Sequence, residues 1–251
     1  MRASLALRAL RAGLLAAVAL SGAGAAQAMV NPGYYVVTVY DDPGVVTLDF
    51  RYWTVQPDAG NLTILWPEAG LGWNVNGRWY TELFASWISS SKFATHLQTL
   101  NWQNDVLLTQ GQYPFDLAVH TQLIRPQHPA SGWALEVGPV FQTDFDRTQL
   151  VFNVFFQRGF ESLSGPTELS YQWQVRHRWN RWLHFGAQGF GELGPWNDWL
   201  PKDQQSHRAG PALFGALPAG PGKVQWQAAY LFGKTYARRG EMFTARLKYD
   251  F

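Results

Sequence analysis

The last eleven residues, Glu241 to Phe251, constrain this chain more than any other stretch. Phe243, Ala245, Leu247, Tyr249 and Phe251 fall on one parity, and Met242, Thr244, Arg246, Lys248 and Asp250 on the other. A period of two puts the first set on one face of a β-strand and the charged set on the opposite face. Against a protein core, that pattern describes a half-buried strand of a soluble β-sandwich or lipocalin-like barrel. Against lipid, it describes a strand of a transmembrane barrel, with the charged face in the lumen.

The rest of the chain decides for lipid. It carries 13 Trp, 10 Tyr and 16 Phe with a mean hydropathy of only −0.19. Beyond its leader it has no apolar run of about 18 residues, the length a membrane-spanning helix needs. Many aromatics without a long apolar run fit a barrel whose lumen residues dilute every apolar segment.

Alternating segments separated by turn residues recur along the sequence: Val45–Gln56, Leu65–Val75, Arg78–Ile88, His96–Leu108, Tyr113–Leu123, Trp133–Gln142, Gln149–Gln157, Glu168–His177, Trp182–Glu192, His207–Leu217, Val224–Phe232 and the closing strand. That makes about twelve strands, an even number as single-chain outer-membrane barrels require. The fold expected is all-β, an antiparallel up-and-down transmembrane β-barrel following an N-terminal signal peptide. Leu65–Val75 is ill-patterned, and Asn104 breaks the apolar row of His96–Leu108. Tyr34 to Tyr40 is open between an extra strand, a periplasmic segment and an inward-folded plug.

Connections read backwards from Phe251 alternate long and short. Gly233–Gly240, Leu193–Ser206, Arg158–Thr167 and Ile124–Gly132 read as long; Asn180-Arg181, Asp144–Asp146, Gly111-Gln112 and Asn76-Gly77 read as short. A barrel with both termini in the periplasm shows this alternation, whereas Greek-key links have no reason to. Trp79, Tyr113, Phe145, Trp179 and Trp182 sit beside short turns, where ring residues form a girdle at the lipid–water boundary.

Residues 1–28 read as an export signal: Arg2, Arg8 and Arg11, then an apolar stretch from Ala12 to Leu20, then Ala26-Gln27-Ala28 as a small-x-small cleavage site. Residues 29–44 form an N-terminal segment, and 45–251 the barrel. The chain has 20 Lys and Arg against 18 Asp and Glu, and removing three Arg with the leader leaves 17 against 18. The basic balance therefore gives no reason to expect nucleic acid. With no cysteine there is neither a disulfide frame nor a thiolate metal site.

From Trp133 onward the chain resembles a family of proteobacterial outer-membrane β-barrel proteins grouped with transporters, near the barrels named for the MetA pathway of phenol degradation. The stretches that carry the resemblance are Trp133–Phe141, Gly189–Leu193, His207–Leu213 and Arg246–Phe251. The resemblance implies the fold and the membrane. It transfers no catalytic residue, and aromatic-compound uptake would rest on the family name alone.

The histidines do not fall in a zinc-protease or calcium-loop pattern, so neither metal nor cofactor is expected. An outer-membrane lipid hydrolase needs serine beside histidine; Ser206 and His207 are adjacent and would face opposite ways on a strand. By parity, the lumen-lining residues are Glu136, Gln142, Asn153, Gln172, Gln174, Arg176, His184, Gln188, Glu192, Gln225, Gln227, Arg246 and Lys248. The lipid-facing set is Phe152, Trp173, Phe185, Trp226, Tyr230, Phe243, Leu247, Tyr249 and Phe251. A lumen of mixed sign either forms a narrow polar path or neutralises itself in a blocked interior, and both stay open.

The function expected is that of an outer-membrane channel or transporter for small solutes rather than an enzyme. A non-conducting accessory barrel is the first alternative, and a lipid-active enzyme the second. The partners expected are outer-membrane lipids and lipopolysaccharide, the latter through Lys202, Lys234, Arg238 and Arg239, and the barrel assembly machinery through the C-terminal strand.

Overall fold

A computed structural model describes residues 33–39, 43–57, 63–127, 132–235 and 238–251. The export signal expected over residues 1–28 lies outside the described residues, as does Tyr40.

Twelve antiparallel strands form one closed ring: β1 (Val46–Pro57), β2 (Ile64–Asn76), β3 (Trp79–Ser90), β4 (Phe93–Leu107), β5 (Asp116–Pro126), β6 (Trp133–Phe145), β7 (Thr148–Phe160), β8 (Glu168–Arg178), β9 (Leu183–Pro195), β10 (Ser206–Ala219), β11 (Gly222–Thr235) and β12 (Arg238–Asp250). Each pairs with its neighbours in sequence, and β1 closes on β12 from Thr47 opposite Asp250 to Pro57 opposite Gly240. Closure leaves no open edge, which a sheet surrounded by hydrocarbon requires, because lipid cannot hydrogen-bond an unpaired N–H or C=O.

The period of two becomes inside and outside. On β1, Thr47, Asp49, Arg51 and Trp53 are buried, while Leu48 and Phe50 are exposed. On β12, Met242, Thr244 and Arg246 are buried, while Phe243 and Leu247 are exposed. Leu83, Trp102, Phe152 and Leu213 continue the apolar exterior around the ring. Asn104, which broke the row on β4, accepts a hydrogen bond from Trp79 Nε1 at 3.1 Å on this outer surface. Trp173 lies over Gly189 and Trp226 over Gly215, each glycine leaving a bare patch of sheet for the neighbouring indole.

Two connections differ from the alternation expected. The stretch Gly233–Gly240 is no long loop: β11 and β12 continue to Thr235 and Arg238, still paired with each other. The turn at Gly111-Gln112 belongs to a longer connection, residues 108–115, because β4 and β5 stop short of it. Backbone outside the bilayer can pair as well as backbone within it, so strand length is not fixed by the hydrocarbon. Trp79, Tyr113, Phe145, Trp179 and Trp182 are all exposed, at the end where β1 begins and β12 finishes.

Residues 33–39 are not a thirteenth strand, since β1 pairs with β12 directly. They run through the inside of the ring. Tyr34 and Val36 join Trp53, Phe190, Phe214, Leu231 and Met242 in one apolar cluster. Tyr35 and Val37 join Leu107, Ala118, Val140 and Phe155 in another. The segment is thus an extended ribbon with both faces covered, which is why Tyr34-Tyr35-Val36-Val37 shows no alternation of apolar with polar residues.

Candidate functional site: the barrel interior

Inward-facing polar groups from all parts of the ring meet around this ribbon. Backbone is tied to wall at Val37, whose N–H donates to Gln172 Oε1 at 3.1 Å and whose carbonyl accepts from Asn153 Nδ2 at 2.9 Å. Tyr34 Oη donates to Glu192 Oε1 at 2.7 Å, and Tyr35 Oη to Gln103 Oε1 at 2.9 Å. Arg208 in turn holds Glu192 through two hydrogen bonds and lies 4.2 Å from the Tyr34 ring centroid.

Buried charges cluster along β1, β2, β3 and β12. Arg51 Nη2 bonds Glu82 Oε2 at 2.6 Å and Asp49 Oδ2 at 2.9 Å, and its Nη1 stands 3.8 Å from Glu68 Oε2. Arg246 binds the same Asp49 through two of its nitrogens. The Arg51 guanidinium lies 3.8 Å over the Tyr35 ring. Gly70 and Gly72 on β2 leave room for this cluster: a side chain at either would meet Glu82, Phe84 or Tyr80. Charges this deeply buried are tolerable only when each has an opposite partner. Across the lumen, His120 Nδ1 lies 2.6 Å from Asp105 Oδ1, and His120 Nε2 lies 3.5 Å from Glu136 Oε1.

Toward the end that carries the strand termini, the ribbon leaves space. An outer chamber of about 380 Å³ is lined by Thr38, Thr47, Asp116, Asp144, Arg178, Lys223 and Asp250, among others. A deeper one of about 240 Å³ adjoins it and reaches Val36. Next to Tyr34 and Glu192 lies a small cavity of about 20 Å³.

Of the thirteen residues expected to line the lumen, Glu136, Asn153, Gln172, Gln174, Gln188, Glu192 and Arg246 are buried in the ring. Gln142, Arg176, His184, Gln225, Gln227 and Lys248 are half-buried and line the two chambers. Of the nine expected to face lipid, Phe152, Phe185, Tyr230, Phe243, Leu247 and Phe251 are exposed. Trp173, Trp226 and Tyr249 are half-buried because each lies over a neighbouring glycine. The expected set missed Asp49, Arg51, Glu68, Glu82, Asp105, His120 and Arg208. The signal was present at Thr47, Asp49 and Arg51, which alternate with Val46, Leu48 and Phe50.

Ser206 is buried inside the ring, while His207 on the outer face approaches Tyr171 Oη at 2.8 Å. Among the described residues, no group of three or more His, Asp or Glu is placed to hold a metal ion. No helix among them is long and apolar enough to cross a membrane.

An outer-membrane channel from Pseudomonas putida F1 is similar in structure, with a TM-score of 0.63 and 11% identity, covering 88% of this chain and 99% of that one. The KdgM porin is similar with a TM-score of 0.56 and 7% identity over 82% and 99%. No family model matches the chain, and no curated protein matches it in sequence. The shared fold is the closed antiparallel ring of outer-membrane β-barrels. Combined with a band of exposed Leu, Phe and Trp side chains, far more than a water-facing surface carries, it makes this chain an outer-membrane β-barrel.

Proposed function

We propose that the protein is a channel of the outer membrane that passes small polar solutes through its interior. The observation that carries this reading is the nature of the obstruction. Seven residues of extended chain, fastened at Val37 by two side-chain bonds, occupy the middle of the ring, and polar chambers lead up to them from one end. The inward-facing polar residues are the path, and the ribbon narrows it. The likeness in fold to the Pseudomonas putida F1 outer-membrane channel and the KdgM porin agrees with a transport role and names no solute for this chain. Lipid and lipopolysaccharide against the apolar exterior, and assembly machinery engaging β12, complete the proposed contacts.

Planar-bilayer recording tests the reading. Wild-type protein should give small unitary steps. Asn153→Ala with Gln172→Ala, which unties Val37, should raise their size or frequency several-fold while the barrel still migrates as a folded, heat-modifiable species. A closed baseline in both proteins would establish a permanently filled, non-conducting barrel instead.

A further inference from the structure

We infer that the deeper chamber is a binding site for a small oxyanion, a carboxylate or a phosphate. The inference rests on the channel reading for its biological use but not for its chemistry. The outer chamber has charges of both signs, whereas the deeper one is lined by Arg176, Arg246, Lys248, His184 and glutamines, with no carboxylate among the described residues of its wall.

The cations differ in how far they are already matched. Arg246 is bound to Asp49, and Lys248 lies 3.9 Å from Asp250. Arg176 is the unmatched one. Its Nη2 donates to the neutral Gln149 Oε1, its Nε has no hydrogen-bond partner, and no carboxylate among the described residues lies within ion-pair distance. Asp144, which lines the outer chamber together with Arg176, is taken by Arg178 at 2.6 Å. A guanidinium partly withdrawn from water gains from an opposite charge or a full set of acceptors. Its planar fork matches an oxyanion bidentately.

Space is provided beside it. Beside Arg176 on the next strand stands Gly186, and beside Gln225 stands Ala216, so neither polar side chain has a bulky cross-strand neighbour. His184 Nδ1 is a second buried atom without a partner at the same wall. Gln174 and Gln227 supply amide donors around the rim. A volume of about 240 Å³ accommodates a molecule of a few non-hydrogen atoms together with water.

Calorimetric titration of the detergent-folded protein with inorganic phosphate and with succinate, at constant ionic strength, tests the site. Both probes should saturate at one equivalent. Arg176→Gln should weaken binding about tenfold or more, the loss expected for a charge-assisted hydrogen-bond pair. Arg176→Lys, which keeps the charge and loses the fork, should fall between, and Arg125→Gln, exposed at the opposite end of the ring, should bind as wild type does. Absence of saturable binding of both probes to the folded wild-type protein, or equal affinity in folded Arg176→Gln, would overturn the site. Conductance is measured separately: binding without current would remove the channel and leave the site, and current without binding would do the reverse.

Discussion

Leu247 is the sharpest probe of which side of this ring meets hydrocarbon. It stands on the outer face of β12 at 49% exposure, paired with Phe50 on β1 and Trp226 on β11. The outward residues of β12 and its end run from Phe243 to Phe251, with Leu247 at the centre. At about 3.4 Å per residue and a tilt near 40°, that run spans about 21 Å of membrane normal, close to the height of the apolar band of such barrels. Leu247→Arg therefore places a guanidinium near the bilayer midplane, at a cost of about 2–4 kcal/mol. The matched control introduces the same side chain inside: Gln142→Arg, in the outer chamber and directly opposite Asp116. There the new charge meets water and a carboxylate, and the change should stay within about 0.5 kcal/mol. Equilibrium unfolding in guanidinium from lipid vesicles, with the midpoint shift read at unchanged slope, gives both numbers. Equal costs at the two positions would refute the assignment of inside and outside.

Other substitutions test particular contacts. Arg51→Met leaves Asp49, Glu68 and Glu82 short of a buried counter-charge and should destabilise by about 3–5 kcal/mol, with part of the loss returned by adding Glu82→Gln; equilibrium unfolding of the single and double variants measures it. Gly215→Ala would bring a methyl to within 2.4 Å of Trp226 Nε1 and 2.6 Å of the Trp182 carbonyl oxygen. The backbone oxygen cannot yield as a side chain can, so a loss of about 1–3 kcal/mol is expected, together with altered tryptophan emission.

The ring was legible from sequence because most of its strands show one greasy and one polar side, although β10, rich in Gly and Ala, shows it weakly. β2 was the clearest exception, for a physical reason: its inward positions Glu68, Gly70, Gly72 and Asn74 include two glycines, so only its ends carry a polar side chain that marks the parity. The ribbon was not legible in place. Tyr34 to Val37 is apolar on both faces because it is buried on both, and period alone cannot distinguish a ribbon inside a barrel from a strand within its wall. It also hides part of the lumen. Trp53, Phe190, Phe214, Leu231 and Met242 point inward yet are apolar, since their neighbours there are Tyr34 and Val36 rather than water. The charge cluster at Arg51 depends on cross-strand register, which brings Asp49, Glu68, Glu82 and Arg246 together from four strands and is fixed only once the ring closes.

The chain has no cysteine, so single cysteines carrying a nitroxide can be placed along β12 without background. In lipid vesicles, collision rates with oxygen, which partitions into hydrocarbon, and with a water-soluble nickel chelate should alternate with a period of two from residue 243 to 250. Labels at 243, 245, 247 and 249 should meet oxygen, and those at 244, 246, 248 and 250 should not. Equal oxygen exposure on both parities, or chelate access on the Leu247 side, would contradict a barrel whose apolar face is solvated by lipid.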